Sequence, residues 1–250
     1  MIKNKIAALV VGFSVLSGGV SGAHAQEGRP LIVAVDTAFV PFEFKQGSEY
    51  VGFDVDLWAA LAKHMKVEYK LQPMDFTGLI PGLQTKNIDV ALAGIGIRDD
   101  RKKVIDFSDP YYESGLSILV AQDNSTITRA SDLAGKIVGL KTGTVAVDFM
   151  KQEVPKAELR LFPNIDNAYL ELATGRVDAA VHDTPNVRYY AQTAGKGRVK
   201  VAASVKSGDF YGIAFPKGSA LVPKVNEALK AIKANGEYDA IYTKWFGQAQ

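Results

Sequence analysis

Polar residues follow several apolar segments of this sequence, at the point where each segment ends. They are Asp36 after residues 31–35, Gly94 and Gly96 at the end of 89–95, Arg101 one loop later, Lys141 at the end of 137–141, and Asp183 after 177–181. Taken singly, each charged residue is as readily a helix cap or a surface charge. If the apolar segments are parallel strands, all of these residues lie at the same edge of a sheet, and together they predict a polar cleft.

The charged groups of this set match the two ends of a zwitterion. Arg101 can hold a carboxylate through two parallel hydrogen bonds, and backbone amides near Gly94 and Gly96 would add donors. Asp183 can accept hydrogen bonds from an ammonium group. The sequence therefore predicts a site for a small molecule that carries both charges.

The remaining candidates would enclose the side chain of such a ligand. Phe39 and Phe76 can cover an aliphatic stem, although each is equally well explained as an ordinary core residue. Asp36 and Lys141 are left to bind a polar group at the end of that stem.

The first 25 residues have the pattern of a cleaved secretory signal peptide. Lys3 and Lys5 precede an uncharged apolar run over residues 6–20, and AHA at residues 23–25 has the small-x-small form of a signal peptidase site. The apolar run is short for a helix that spans a membrane. We therefore expect a periplasmic protein whose first mature residue is Gln26.

Composition and motifs exclude several classes of function. The sequence has no cysteine, which excludes thiol catalysis, disulfides and thiolate-bound metals. Of its three histidines, His24 leaves with the signal peptide and His64 is interpreted as a surface residue, so only His182 is left and a zinc site is not expected. No Gly-x-Ser-x-Gly, His-Glu-x-x-His, phosphate-binding or EF-hand pattern is present, and we expect no cofactor. The formal net charge is +2 and becomes nearly neutral without Lys3 and Lys5, so nucleic acid is not an expected partner.

Strand and helix segments alternate along the chain and predict two α/β units. Strands are predicted at 31–35, 67–71, 89–95, 115–121, 137–141, 159–162, 177–181, 199–203 and 211–215. Helices are predicted at 55–66, 76–86, 144–154, 165–174, 185–193 and 220–245, the last broken at Asn235-Gly236. No flexible linker separates the units, so we expect extended connections near 111–115 and 207–211, with the ligand site between two lobes.

Several segments resemble the polar amino-acid solute-binding proteins of ABC importers, family 3. VGFDVDL at residues 51–57 is similar to the Gly-Phe-Asp-x-Asp signature of that family, and RKKVIDFSDPYYESG at 101–115 resembles its next block. The resemblance continues through FPNIDNAYLELATGRVDAAVHDTPN at 162–186 and YGIAFPKGS at 211–219, so it covers essentially the whole mature chain. DTAFVPFEFKQG at 36–47 and HDTPN at 182–186 resemble the glutamine-binding branch.

The resemblance implies a type II periplasmic binding protein fold, an α/β fold with two lobes joined by a two-strand hinge. After the signal peptide at 1–25, residues 26–112 and 208–250 would form the first lobe and residues 113–207 the second. The implied partners are a free L-amino acid and an ABC transporter permease, and the protein is expected to be a monomer.

The resemblance also implies a set of ligand-binding residues. Phe39 and Phe76 match an aromatic pair around the aliphatic stem, while Ala93, Gly94 and residues 142–144 match segments that contact the ligand through the backbone. The full set is Asp36, Phe39, Phe76, Ala93, Gly94, Gly96, Arg101, Lys141, Thr144, His182 and Asp183.

The charged members of this set have implied roles at the two ends of the ligand. The match of Arg101 holds the α-carboxylate, and the match of Asp183 holds the α-ammonium group. The matches of Asp36, Lys141 and His182 surround the side-chain amide. We therefore expect capture of a polar amino acid, with L-glutamine as first choice and glutamate, arginine or histidine as alternatives.

Two positions depart from the family pattern. Gly96 stands where such proteins usually have a threonine, whose hydroxyl helps to hold the α-carboxylate. Val145 stands where the glutamine branch often has glycine. Loss of one hydroxyl contact would cost on the order of 1 kcal/mol, and Val145 would narrow the pocket or move the lysine loop.

Two other classes of function remain as alternatives. The family resembles some cleft dehydratases, and in such an enzyme His182 or Asp183 would serve as general acid or base. We expect no catalysis, because both residues have binding roles by resemblance. The other alternative is a sensory ligand-binding module of a receptor. No segment after the expected signal peptide is long and apolar enough to span a membrane, which disfavours a receptor module and leaves soluble delivery of a ligand to a receptor.

Overall fold

Two five-stranded sheets, each covered by helices, form the frame of the protein. The computed structural model describes residues 29–247, so the expected signal peptide at 1–25 lies outside the described residues. The strands are β1 Leu31–Asp36, β2 Ala38–Phe39, β3 Glu43–Gln46, β4 Glu49–Val51, β5 Tyr69–Met74, β6 Val90–Leu92, β7 Ile105–Phe107, β8 Tyr112–Ala121, β9 Ile137–Lys141, β10 Glu158–Phe162, β11 Ala179–Asp183, β12 Val199–Tyr211 and β13 Ala214–Pro216. The helices are α1 Phe53–Met65, α2 Phe76–Gln84, α3 Asp99–Lys102, α4 Val145–Glu153, α5 Ile165–Ala173, α6 Thr184–Gln192, α7 Leu221–Ala234 and α8 Glu237–Phe246, with a short 3-10 helix at Ala130–Leu133.

Each sheet combines parallel and antiparallel strands. The strand order is β5-β1-β6-β13-β7 in the first sheet and β10-β9-β11-β8-β12 in the second. In the first sheet β1 pairs in parallel with β5 and β6, and in the second β9 pairs in parallel with β10 and β11. Strands β13, β8 and β12 run antiparallel to their neighbours. The prediction of two α/β lobes is confirmed.

Neighbouring side chains of the central strand β1 enter separate cores on the two faces of the first sheet. Val33 belongs to a core with Trp58 of α1 and Ile232 of α7, whereas Ala34 belongs to a core with Leu79 of α2. Side chains alternate between the two faces of a strand, so a strand buried on both sides reads as a continuous apolar run. Polar groups are therefore confined to the strand ends, where they can face a cleft.

Strands β8 and β12 run between the lobes as a two-stranded ribbon. They pair antiparallel from Ala121 and Val199 at one end to Tyr112 and Tyr211 at the other, with three register shifts along β12. At the end of the ribbon, Tyr211 forms an isolated bridge with Gly96 of the first lobe. The expected extended connections near 111–115 and 207–211 lie in this ribbon. The exact lobe boundaries, after residues 112 and 207, stay a prediction.

The predicted element order was wrong in several places. Strand β7, helix α3 and the 3-10 helix were not predicted, and the strand predicted at 211–215 is divided between the end of β12 and β13. β12 is one strand of 13 residues, not a strand that ends at residue 203, because bulges break its alternation while β8 continues to pair with it. The short strands β2, β3 and β4, which form a small sheet of their own, were not predicted. The break between α7 and α8 at Asn235-Gly236 is confirmed. Within residues 29–247, none of the helices combines the length and apolarity needed to cross a membrane.

Candidate functional site

The carboxyl ends of β1, β6, β9 and β11 meet at a cavity between the two lobes. All of the predicted ligand-binding residues line it: Asp36, Phe39, Phe76, Ala93, Gly94, Gly96, Arg101, Lys141, Thr144, His182 and Asp183. Val145, Asp209 and Tyr211 complete the lining. The structure thus brings together every residue of the predicted set, and their binding of a ligand stays a prediction.

Arg101 lies at one end of the cavity, on the short helix α3. It is only 6% exposed, and its two terminal nitrogens donate to the carbonyl oxygens of Gly96 at 3.0 Å and Gly143 at 3.1 Å. Burial lowers the pKa of Arg101 to about 10, so the guanidinium stays charged at neutral pH. Because Gly143 belongs to the second lobe, Arg101 presents a fixed cation at the junction of the lobes.

The N-terminus of α4 faces the same cavity from the second lobe. Thr144 precedes the helix in an extended conformation, and its hydroxyl donates to the carbonyl oxygen of Lys141 at 2.8 Å. The first N–H groups of a helix have no partner within the helix and favour negative charge. Together with Arg101, this helix end suits a carboxylate.

Asp36 and Lys141 form a buried ion pair that joins the two lobes. Each residue is 1% exposed, and the ammonium group of Lys141 lies 5.5 Å from the ring centre of Phe76 and 6.0 Å from that of Phe39. Burial raises the pKa of Asp36, and the positive charge of Lys141 opposes that rise. The pair offers a carboxylate acceptor beside an ammonium donor, with no net charge.

Asp183 is the end residue of β11 and is held by a chain of hydroxyl groups. The phenol of Tyr211 donates to its Oδ2 at 2.5 Å, and the hydroxyl of Ser114 lies 3.0 Å from that phenol. Burial raises the pKa of Asp183 to about 6. A cationic group next to Asp183 would favour the charged carboxylate and reverse this effect.

His182 lies next to Asp183 in β11 and is 2% exposed. Burial, followed by the positive charge of Lys141, lowers the pKa of His182 well below its usual value, so the imidazole is neutral. Among residues 29–247, no group forms a hydrogen bond with either ring nitrogen. A neutral imidazole has one donor and one acceptor nitrogen, and both are left for a polar ligand group.

Beneath the cavity, Asp54 supports the loop that carries Gly94. One oxygen of Asp54 accepts from the backbone N–H of Gly94 at 3.2 Å and from the phenol of Tyr111 at 2.8 Å. Gly94 has a φ of 53°, and a side chain at this position would collide with the ring of Phe39. Burial raises the pKa of Asp54 to about 6. The acidic residue of the Gly-Phe-Asp-x-Asp signature therefore positions a loop of the site.

The two departures from the family pattern, Gly96 and Val145, lie against each other across the cleft. A Cβ atom on Gly96 would lie 3.3 Å from Cγ1 of Val145 and 3.7 Å from a terminal nitrogen of Arg101. Contacts of 3.3 Å are tighter than ordinary van der Waals separation. Val145 thus occupies the space next to the position for which the resemblance implies a threonine side chain.

Further contacts join the lobes outside the cavity. Arg98 of the first lobe donates to Asp148 of α4 at 2.5 Å, and Asp100 holds the same guanidinium at 2.9 Å. The amide of Asn186 donates to the carbonyl oxygen of Val40 at 2.6 Å. The lobes are therefore in contact outside the cavity as well as across it, in a closed arrangement.

Besides Val145, which the sequence analysis discussed as a departure, three residues that shape the cavity are absent from the predicted set: Asp54, Asp209 and Tyr211. A carboxylate within the apolar segment that begins α1 was a possible signal for Asp54, since a buried charge needs partners. Tyr211 is the last residue of the expected connection at 207–211, which was a weaker signal. For Asp209 the sequence held no signal, because a bulge in β12 decides which way its side chain points.

Comparison with known proteins identifies one family of solute-binding proteins. The model of the bacterial extracellular solute-binding proteins, family 3, matches residues 31–248. ABC transporter arginine-binding protein 1 of Escherichia coli K12 is 34% identical over 253 residues, which cover 99% of this chain and all of that protein.

Two solved structures of ancestral proteins have the same architecture. An ancestral arginine-binding protein bound to glutamine is 42% identical, with a TM-score of 0.84 over 88% of this chain and 98% of that one. The ancestral amino acid-binding protein AncCDT-1, a precursor of cyclohexadienyl dehydratase, is 39% identical, with a TM-score of 0.80 over 87% of this chain and 95% of that one.

Proposed function

Because the chain belongs to family 3 of the bacterial extracellular solute-binding proteins, we propose that it captures L-glutamine in the periplasm and delivers it to the permease of an ABC importer. The observation that carries this proposal is the arrangement of charges in one cavity. Arg101 and the start of α4 suit an α-carboxylate, while Asp183 suits an α-ammonium group. The type II periplasmic binding protein fold places these groups on two lobes.

The preference for glutamine rests on the ion pair between Asp36 and Lys141. The pair has no net charge, and it presents one acceptor and one donor side by side. A side-chain amide can donate to Asp36 and accept from Lys141, and His182 adds a neutral partner. A carboxylate side chain would be repelled by Asp36, and a guanidinium would be repelled by Lys141. An ancestral arginine-binding relative has been solved with glutamine and with arginine, so it supports an amino-acid ligand, and the choice of glutamine rests on the ion pair.

Capture follows from closure of the lobes around the ligand. The cavity is built from both lobes, so a ligand that contacts Arg101 on one side and Asp183 on the other stabilises the closed arrangement. Closure also removes water, which strengthens the charged interactions inside the cavity. The closed surface is what a permease would recognise.

We propose no catalytic activity. His182 is neutral and has no hydrogen-bond partner among the described residues that would relay a proton. The aspartate beside it, Asp183, accepts a hydrogen bond from Tyr211 and faces the position of an ammonium group. The likeness to a precursor of a dehydratase makes turnover worth measuring.

The proposal is tested by calorimetric titration of the mature protein, refolded from denaturant so that no carried ligand remains. We expect one-to-one binding of L-glutamine with a Kd of about 1 μM or less, and weaker binding of L-glutamate, L-arginine and L-histidine. Chromatography of the released ligand should show that glutamine is unchanged. Tight binding of a different amino acid would refute the choice of glutamine and keep the capture role. No binding of any of the four amino acids would refute the proposal.

Gly96 and Val145 are expected to act as a coupled pair in this titration. Gly96→Thr alone should weaken glutamine binding by about 5- to 100-fold, because the new side chain is overpacked against Val145 in the closed arrangement. Val145→Ala alone should change the affinity by less than about 5-fold.

The double variant adds the threonine hydroxyl at position 96 and removes the crowding against Val145. Gly96→Thr combined with Val145→Ala should bind glutamine much more tightly than the sum of the two single effects allows, with a coupling of about 1 to 2 kcal/mol. Additive effects of the two changes would show that the positions do not interact.

A further inference from the structure

Asp209 lies on the hinge strand β12, and a bulge turns its side chain into the cleft. Ser207 pairs with Gly115 and Asp209 pairs with Ser114, so Gly208 is the extra residue. Gly208 has a φ of 75°, a conformation that glycine adopts without strain. After the bulge, alternate residues of the strand share a face, and Asp209 and Tyr211 both line the cavity.

The contacts of the neighbouring side chains place Asp209 beside Asp183. Ser114 is opposite Asp209 in the ladder and forms a hydrogen bond with the phenol of Tyr211, which in turn donates to Asp183. The negative charge of Asp209 contributes to the raised pKa of Asp183, after burial and against the hydrogen bond from Tyr211. Two carboxylates therefore face the same end of the cavity.

One oxygen of Asp209 lacks a protein donor. Its Oδ1 forms an ion pair with Lys206, whereas Oδ2 is buried and receives no hydrogen bond from any group within residues 29–247. The side chain is 18% exposed. A buried carboxylate oxygen is costly unless a donor reaches it, and the cavity that Asp209 lines is the place from which a ligand donor can come.

We propose that Asp209 binds the α-ammonium group of the ligand as a second carboxylate beside Asp183. This inference rests on the proposed function, since it assigns a group of the same ligand. An ammonium group has three N–H donors in a tetrahedral arrangement and can serve two carboxylates at once. Two carboxylates and one ammonium group leave a net negative charge, which the partner of Asp209, Lys206, offsets.

The position of Asp209 ties recognition of the ammonium group to the hinge. Asp183 belongs to the second lobe, whereas Asp209 belongs to the ribbon that connects the lobes. An ammonium group bound to both would hold the ribbon in the conformation of the closed arrangement. Amino acids would then be selected over the corresponding compounds without an α-amino group by two charged contacts.

The test compares Asp209→Asn with the wild-type protein by calorimetric titration. The ligands are L-glutamine and glutaramate, which is glutamine without its amino group. We expect Asp209→Asn to weaken glutamine binding by about 10- to 100-fold and to change glutaramate binding by less than about 3-fold. Asp123→Asn, the same replacement on an exposed turn at the far end of β8, should leave both affinities unchanged.

The outcomes distinguish this inference from the proposed function. If wild-type protein binds glutamine and Asp209→Asn binds it equally well, Asp209 is only the partner of Lys206 and the inference is wrong. An equal loss for glutamine and glutaramate would also overturn it, because the effect would then come from the hinge and not from the ammonium group. If the wild-type protein binds none of the four amino acids, the proposed function itself fails. Thermal unfolding of the variant checks that it is folded.

Discussion

Replacement of Arg101 by alanine is expected to lower the affinity for L-glutamine by about 1000-fold, which corresponds to about 4 kcal/mol. Arg101 is 6% exposed and already oriented by the carbonyl oxygens of Gly96 and Gly143. Without it, the α-carboxylate would be buried with backbone N–H groups as partners and no cation. Calorimetric titration measures the loss directly.

Arg98 provides a matched control for this variant. It is also an arginine of the first lobe that contacts the second, through Asp148, but its side chain is 29% exposed. Exposed ion pairs contribute between zero and about 1 kcal/mol, so Arg98→Gln should weaken binding by less than about 5-fold. Similar losses in the two variants would mean that Arg101 acts by joining the lobes and not by binding the carboxylate.

Replacement of Lys141 by methionine is expected to weaken glutamine binding by about 100- to 1000-fold, because it leaves the carboxylate of Asp36 buried without its cation. The two groups belong to different lobes, so separation of the lobes returns both to water. The replacement therefore destabilises the closed arrangement of the lobes and not the folded state of each lobe. Titration should show the loss, while thermal unfolding of the protein without added ligand should change little.

Two further variants define the source of this effect. Asp36→Asn combined with Lys141→Met should be less impaired than the sum of the single changes, since neither charge is then left unpaired. Lys151→Met, the same replacement at an exposed lysine of α4, should bind glutamine normally. A large drop in the unfolding temperature of Lys141→Met without ligand would contradict the assignment to closure.

The buried carboxyl groups of the first lobe form a layer below these contacts. Glu43 is fully buried near Asp54, and burial together with the charge of Asp54 raises the pKa of Glu43 well above the usual range. The hydrogen bonds from Gly94 and Tyr111 oppose the raised pKa of Asp54. The loop at Gly94 is thus held by a network that never contacts the cavity directly, which explains why a family signature lies one layer away from the site.

Much of the architecture could be predicted from local pattern. Runs such as residues 31–35 and 137–141 are apolar because both faces of a parallel strand are buried, and this leaves the polar residue at the strand end as a visible mark. The eleven predicted residues that line the cavity were found in this way or through family resemblance. Their convergence follows from one rule, that the carboxyl ends of parallel strands meet at one edge.

Contacts between distant residues were decided by the tertiary structure alone. The sequence marked Gly96 and Val145 as two separate departures, but only the closed arrangement of the lobes makes them one pair, in which a Cβ atom added to Gly96 would lie 3.3 Å from Cγ1 of Val145. Asp209 points into the cavity because a bulge shifts the ladder between β8 and β12, and the position of the extra residue is defined only by the pairing of the two strands. The spacing of apolar residues along a strand or a helix shows which of its faces are buried. Which side chains meet depends on how the segments pack, and Gly96 and Val145 are 49 positions apart along the chain.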